Sequence, residues 1–321
     1  MSEYSSPEHW GQPTFDLYAA TVSAAAAAWP LVGSGDKNAV DRAAVDAMRA
    51  SLIGANFGGT VVIGEGEKDE APMLYTGELI GQGQPLDWDI AVDPIDGTAL
   101  AAAGLPGAVS VMAASPRSTM MRAPEVFYMK KIVTGAIGRG VVSLEASPTE
   151  NIIALAAAMD KPVSALNVAV INKARNLDVI AEVQASGANW VRFDEGDVAM
   201  AVAAALDETS VDMLLGVGGN PEGVVTACAV HVLGGFMQGK LVVMTPEQLT
   251  MAMDAGHDLD RLHELHELVS GDRHIFVLTG LTDGAFVKGI REDGEDLIIQ
   301  SVVIDTALVE PRLVEVKVPR F

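Results

Sequence analysis

The chain has 321 residues, 49% of them hydrophobic and 20% charged, with a mean hydropathy of +0.28. That composition is globular and excludes a disordered chain. Asp and Glu number 43 against 21 Lys and Arg, a net charge of −22, which repels nucleic acid and anionic lipid, so neither is an expected partner.

An anionic substrate would need metal ions or a local basic cluster to overcome that field. The single cysteine, Cys228, excludes an internal disulfide and fits a reducing cytoplasm. Its apolar helical surroundings predict inert core.

In chain order, the first 16 residues are polar and lack the basic start of a targeting segment. A helix is predicted from about Thr14 to Trp29. Its alanine-rich run is too short and too weakly apolar for a membrane span. Gly33 to Val45 reads as a glycine-rich turn entering a helix through Met48, with Ala44, Val45 and Met48 on one face. Thr60 to Pro72 is a short apolar strand running into an acidic loop.

Asp87 to Thr98 reads D-W-D-I-A-V-D-P-I-D-G-T. Its first half alternates like a strand, and Pro94, with no N–H, is expected to stop it. Asp93, Asp96 and Thr98 then stand together at the break. They form either a polar turn or a site for hard divalent cations, which prefer oxygen ligands. Gly107–Ala114 and Val126–Val133 follow as strands.

A second half begins near residue 149, giving expected halves of 14–148 and 149–321. Residues 150–159 read as a helix, Leu166–Arg175 as a strand ending in two cations, and a helix follows to about Ala185. Asn189–Phe193 is a strand, Asp194–Asp197 a loop, and an alanine-rich helix comes next. Val211–Ala227 reads as strand, glycine turn and helix. Residues 245–269 read as a polar helix, and His274–Thr279, Leu297–Asp305 and Leu313–Val318 as closing strands. Alternating strands and helices predict α/β layers.

Four separated segments place acids beside strand ends or helix starts: Asp36 with Asp41, Glu65 with Glu67, Asp93 with Asp96, and Glu222. Gathered together, they would repel one another unless cations neutralised them. Two or three Mg2+ or Mn2+ ions would do so, and could hold a phosphoryl group. The turn Gly218–Gly223 offers free N–H groups at a helix start with Pro221 in its first turn, which suits a phosphate equally. Lys173 with Arg175, and Lys130 with Lys131, are candidates for a second phosphate in so acidic a chain. H-E-L-H-E at His263–Glu267 fails the zinc-protease pattern, because Glu267 stands where its second histidine must be.

D-P-I-D-G-T, G-S-G-D-K-N at Gly33–Asn38, V-I-G-E-G-E-K-D-E-A-P-M-L-Y at Val62–Tyr75 and G-V-G-G-N-P-E-G at Gly216–Gly223 together resemble the class II fructose-1,6-bisphosphatases. These are a branch of the metal-dependent, lithium-sensitive phosphatases. The resemblance runs from about Asp16 to the C-terminus. It implies a layered α/β/α/β/α fold with mixed sheets and hydrolysis of the 1-phosphate of fructose 1,6-bisphosphate. It also implies Mg2+ or Mn2+ as cofactor, a homodimer or homotetramer, and a cytoplasmic location.

By position, the resemblance puts metal ligands at Asp41, Glu65, Asp93, Asp96 and Glu222. Thr98, Glu65 and Asp93 fall in catalytic positions. Substrate contacts fall at Lys37, Asp96, Gly97, Thr98, Tyr128, Lys173, Ala174, Arg175, Glu195, Gly196, Asp197 and Gly219.

The chain departs from the family's usual pattern at Arg42, at Ala174 and Asn176 of the K-A-R-N run, at Glu195 and across Ala99–Ala101. None removes a metal ligand. They bear on which sugar is bound, so sedoheptulose 1,7-bisphosphate or another sugar phosphate stands as an alternative substrate. A catalytically inactive binding protein on the same scaffold is the remaining alternative.

Overall fold

The computed structural model describes residues 10–64, 74–206, 209–308 and 310–320. Chain contacts divide it into two units: one ends at Met120 and resumes at Gly271, and the other is Met121–Ser270. These limits fall elsewhere than the expected boundary at 148/149, because the last strands return to the first sheet.

The first unit opens with α1 (Gln12–Ala28) and α2 (Lys37–Ile53), followed by β1 (Gly59–Ile63), β2 (Leu79–Ile80) and β3 (Trp88–Asp96). A short α3 (Thr98–Ala103) and β4 (Val109–Pro116) complete this stretch. The chain then builds the second unit. Its elements are β5 (Tyr128–Thr134), α4 (Pro148–Ala158), β6 (Asn167–Ile171), α5 (Leu177–Ser186), β7 (Asn189–Phe193) and α6 (Asp197–Ala205). They continue with β8 (Met213–Gly219), α7 (Asn220–Val232), β9 (Phe236–Val242), α8 (Pro246–Asp254), β10 (His263–Glu264) and α9 (Leu265–Leu268). It returns as β11 (Ile275–Gly280), β12 (Arg291–Asp293), β13 (Asp296–Asp305) and β14 (Arg312–Pro319).

Among the described residues, the first unit's sheet runs β12-β13-β11-β4-β3-β1-β2, with β14 paired to β13. Only β1 and β3 pair in parallel; the rest are antiparallel. α1 and α2 pack on one face. Ala20, Ala24, Ala25 and Ala28 are buried along α1, and Val40, Ala44, Met48 and Leu52 along α2. Small alanines let the two helices and the sheet approach closely, which is what the alanine-rich run does.

The second sheet runs β10-β9-β5-β8-β6-β7, with β6 parallel to both β7 and β8 and the other pairs antiparallel. Ile132, Val168, Val170, Met213 and Leu215 form a core with Ile152 and Leu155 of α4 and Ile180 and Val183 of α5. The alternate residues of β5 and β8 face α6 and α7, which pack on that side. The molecule is therefore mixed α/β, with two mixed sheets and interleaved helices. No helix of the described residues is long and apolar enough to cross a membrane.

Three expected elements differ. The 245–269 stretch is not one helix. Gly256, at φ +80°, closes α8 in the left-handed region that favours glycine. His263 and Glu264 then pair with Gly239 and Gln238 at the sheet edge, where Gln238 Nε2 donates to Glu264 Oε1 at 2.7 Å. The strand at 166–175 stops at Ile171, and Lys173 caps a 3-10 turn, Ala174–Asn176. The turn holds because Asn176 accepts from Val217 N at 2.7 Å and donates to Val217 O at 2.9 Å. Pro94 does not end the central strand. β3 continues through it as a bulge.

Candidate functional site

In the first unit the bulge decides where the acids point. Residues three apart on a regular strand face opposite sides. Here Asp93 opposes Val111 and Asp96 opposes Val109, and those partners are two apart, so both carboxylates share one face. Asp96 is only 8% exposed, and Asp93 is half-buried. Gly97 follows at φ +89° and lets the chain turn straight into α3. Thr98 opens that helix, with Oγ1 donating to Ile95 O at 2.9 Å.

α2 packs on both β3 and α3. The glycine turn before it is bonded to α3, Gly33 N to Ala101 O at 2.9 Å and Gly35 N to Ala102 O at 2.8 Å. Asp41 lies on the same helical stripe as the buried Ala44, Val45 and Met48. Burial accordingly pushes its carboxyl above its ordinary value. Asp36 instead caps α2, accepting from Ala39 N at 3.0 Å, and Lys37 is exposed in the first turn. Glu65 and Glu67 lie outside the described residues.

In the second unit one edge carries the expected substrate residues of that unit, Tyr128, Lys173–Arg175, Glu195–Asp197 and Gly219. β6, β7 and β8 run parallel, and their carboxyl ends lead into Lys173–Arg175, Asp194–Asp197 and Gly219–Glu222 respectively. Tyr128 begins the antiparallel β5 at that edge, opposite Gly219. Ligands of open α/β sheets bind outside the carboxyl ends of parallel strands.

Arg175 Nε donates to Val217 O at 2.9 Å, and its guanidinium lies 4.8 Å from the centre of the Tyr128 ring. Asn172 Nδ2 bonds Asp194 Oδ1 at 2.6 Å and holds that carboxyl below its usual range. Gly196 leads into α6, whose first residue, Asp197, is buried, while Glu195 is half-buried.

Glu222 does not reach outward from α7, as a first-turn acid would. Its carboxylate folds back over Gly219, where an added Cβ would come within 1.7 Å of Oε2. That oxygen is buried and has no hydrogen-bond partner among the described residues. Burial pushes the Glu222 carboxyl up, with the Lys131 charge opposing.

Lys131 is the residue that the sequence reading misplaced. As one of four cations near strand ends it stood as a phosphate ligand. Instead it is 1% exposed, paired to Asp197 Oδ2 at 2.5 Å and bonded to Gly219 O at 3.0 Å. No short-range signal marks it: the glycines that adjoin the pair, Gly218 and Gly223, lie 87 and 92 residues further along the chain.

Among the described residues no three Asp, Glu, His or Cys side chains gather closely enough to hold a metal ion. The expected set includes Glu65, which lies outside them. What the described residues show is carboxylates of hard oxygen character, buried or half-buried, one with an unsatisfied oxygen. That donor set fits Mg2+ or Mn2+ and would not select a soft metal.

Residues 12–317 match the family model described as bacterial fructose-1,6-bisphosphatase, glpX-encoded. The chain belongs to this family. It is 38% identical over 304 residues to fructose-1,6-bisphosphatase 2 class 2 of Escherichia coli, covering 91% of this chain and 94% of the relative. It is 39% identical to D-fructose 1,6-bisphosphatase class 2/sedoheptulose 1,7-bisphosphatase of Thermosynechococcus vestitus, covering 91% and 90%. Fructose-1,6-bisphosphatase 1 class 2 of Escherichia coli is 38% identical over 297 residues, 88% of each chain. Family membership accounts for the order of the motifs along both units.

Proposed function

We propose that this chain is a metal-dependent phosphatase that hydrolyses the 1-phosphate of fructose 1,6-bisphosphate, releasing fructose 6-phosphate and inorganic phosphate. The observation that carries this reading is membership of the family across 12–317. The clustering of Lys173, Arg175, Tyr128, Glu195–Asp197 and Gly219 at one sheet edge supports a small anionic sugar as substrate.

Asp41, Glu65, Asp93, Asp96 and Glu222 are the residues that would hold Mg2+ or Mn2+. Such ions would supply the positive charge that the phosphoryl group needs as it transfers. Thr98 would align the attacking water and Glu65 would accept its proton. Lys173 and Arg175 would hold the distal 6-phosphate, Arg175 being pre-set by its bond to Val217 O and its stacking on Tyr128. Ala174, Lys37, Gly97 and Gly196 would contribute backbone or rim contacts.

The Thermosynechococcus vestitus relative carries both bisphosphatase names, which favours a second reading in which sedoheptulose 1,7-bisphosphate is also cleaved. The same proposal expects a homodimer or homotetramer in the cytoplasm, the former measurable by light scattering.

The deciding experiment is phosphate release from a panel of phosphorylated sugars, with and without Mg2+ and Mn2+. Metal-dependent release from fructose 1,6-bisphosphate is expected. Release from neither bisphosphate would point to the inactive binding protein.

A further inference from the structure

A lysine with 1% exposure is costly unless its ammonium is paired and hydrogen-bonded. Replacing such a buried pair by apolar residues is often neutral or stabilising, so stability alone is a weak reason to keep one. Lys131 sits in a space cleared by glycine. A Cβ at Gly218 would come within 2.9 Å of Lys131 Cε and 2.1 Å of Asp197 Oδ2, and one at Gly223 within 3.8 Å of Nζ. One strand and one helix therefore leave out side chains beside the Lys131–Asp197 pair, at Gly218 and Gly223. That ammonium joins two separate segments, the start of α6 through Asp197 Oδ2 and the end of β8 through Gly219 O.

Resting on the proposed function, the geometry points to Lys131 as a positioning residue for sugar binding. We infer that it fixes the Asp197 carboxylate and the Gly219 carbonyl in the orientation that receives the hydroxyl groups of the sugar bisphosphate. Lys131 touches no substrate itself. It acts by locking the loop after β7 to the turn after β8, so that their acceptors form one rigid set rather than two independent loops.

The test is a double-mutant cycle of Lys131→Met and Asp197→Asn, read as KM and kcat for fructose 1,6-bisphosphate, with melting temperature measured alongside. Methionine keeps most of the lysine's length and removes only its charge and donors. Lys131→Met is expected to raise KM at least ~10-fold, with a smaller change in kcat. The double variant is expected to be no worse than Asp197→Asn alone, because both changes break one unit.

A folded Lys131→Met protein whose KM stays within threefold of wild type overturns the inference, as does strict additivity of the two changes. If Lys131→Met does not fold, Gly218→Ala displaces the same pair without deleting a charge. It carries the same expectation, and an unchanged KM there is equally fatal. A wild-type chain that releases no phosphate from either bisphosphate overturns the proposed function and this inference together. An active wild type beside an unaffected variant overturns the inference alone.

Discussion

Gly219→Ala separates backbone from side-chain reasons for a glycine. Gly219 has φ −68° and ψ 141°, an extended conformation open to alanine, so no conformational need keeps it glycine. What excludes a methyl group is Glu222. The added Cβ would lie 1.7 Å from Oε2 and 2.3 Å from Cδ, whereas ordinary contact begins at 3.4 Å. The carboxylate must retreat by roughly 1.7 Å, and it can, because it is the free end of a flexible side chain. Overpacking of this kind costs about 1 kcal/mol at the low end of its range. The loss of chain entropy in the unfolded state returns about 0.4–1 kcal/mol. Stability should therefore stay nearly unchanged, with the melting temperature within about 3 °C of wild type. Activity should not, since a misplacement of about 1 Å in a catalytic group costs on the order of 10²-fold. The assay is kcat for phosphate release from fructose 1,6-bisphosphate at saturating Mg2+ or Mn2+, beside a thermal melt. A variant with kcat within threefold of wild type would refute the placement of Glu222 in the reacting centre. A collapse in melting temperature would refute the claim that its carboxylate yields freely.

Asp93→Asn keeps the shape of β3 and removes one charge, so turnover should fall at least ~10²-fold, as when one electrostatic stabiliser is lost; near-normal turnover with full metal content rules out Asp93 as a ligand. Arg175→Ala removes the guanidinium stacked on Tyr128, and KM for the bisphosphate should rise at least ~10-fold with a smaller effect on kcat; steady-state kinetics decide it. Tyr18 is buried, and burial pushes its hydroxyl up to about 12 from 10.0. Its folded value stands above its unfolded one, so its contribution to stability is complete below pH 10 and lost as pH rises through 12, about 3 kcal/mol in all. Absorbance at 295 nm should show one of the four tyrosines titrating about two pH units late, and ionisation of all four near pH 10 in the folded state would contradict this. His274 is fully buried, with Nδ1 2.9 Å from Ser115 Oγ and Nε2 3.2 Å from Gly271 O. His274→Ala should cost about 3 kcal/mol by leaving a cavity and removing the ring's hydrogen bond to Ser115, whose hydroxyl keeps Thr119 Oγ1 as partner, read as a lowered denaturation midpoint; an unchanged midpoint would mean the cavity refills.

Much of the local structure was legible because it is written at short range. Alanine spacing marked α1, alternation marked β3, and Pro221 just past a glycine turn marked the start of α7, since each pattern reflects a period of 3.6 or 2 or a single backbone constraint. The family motifs were legible for a related reason. Close backbone approach restricts residue type so strongly that a dozen letters identify them.

Composition and order along the chain thus determined the class of the fold and the family. Tertiary structure alone decided the rest. A bulge in β3, invisible in a run that contains a proline, turned Asp93 and Asp96 to one face. Return of the last four strands to the first sheet set the division of the chain, because strand pairing joins residues 161 to 171 apart. Lys131 could be seen as a cation but not as a buried one: burial depends on which neighbours leave space, and Gly218 and Gly223, which adjoin it, lie 87 and 92 residues further along the chain.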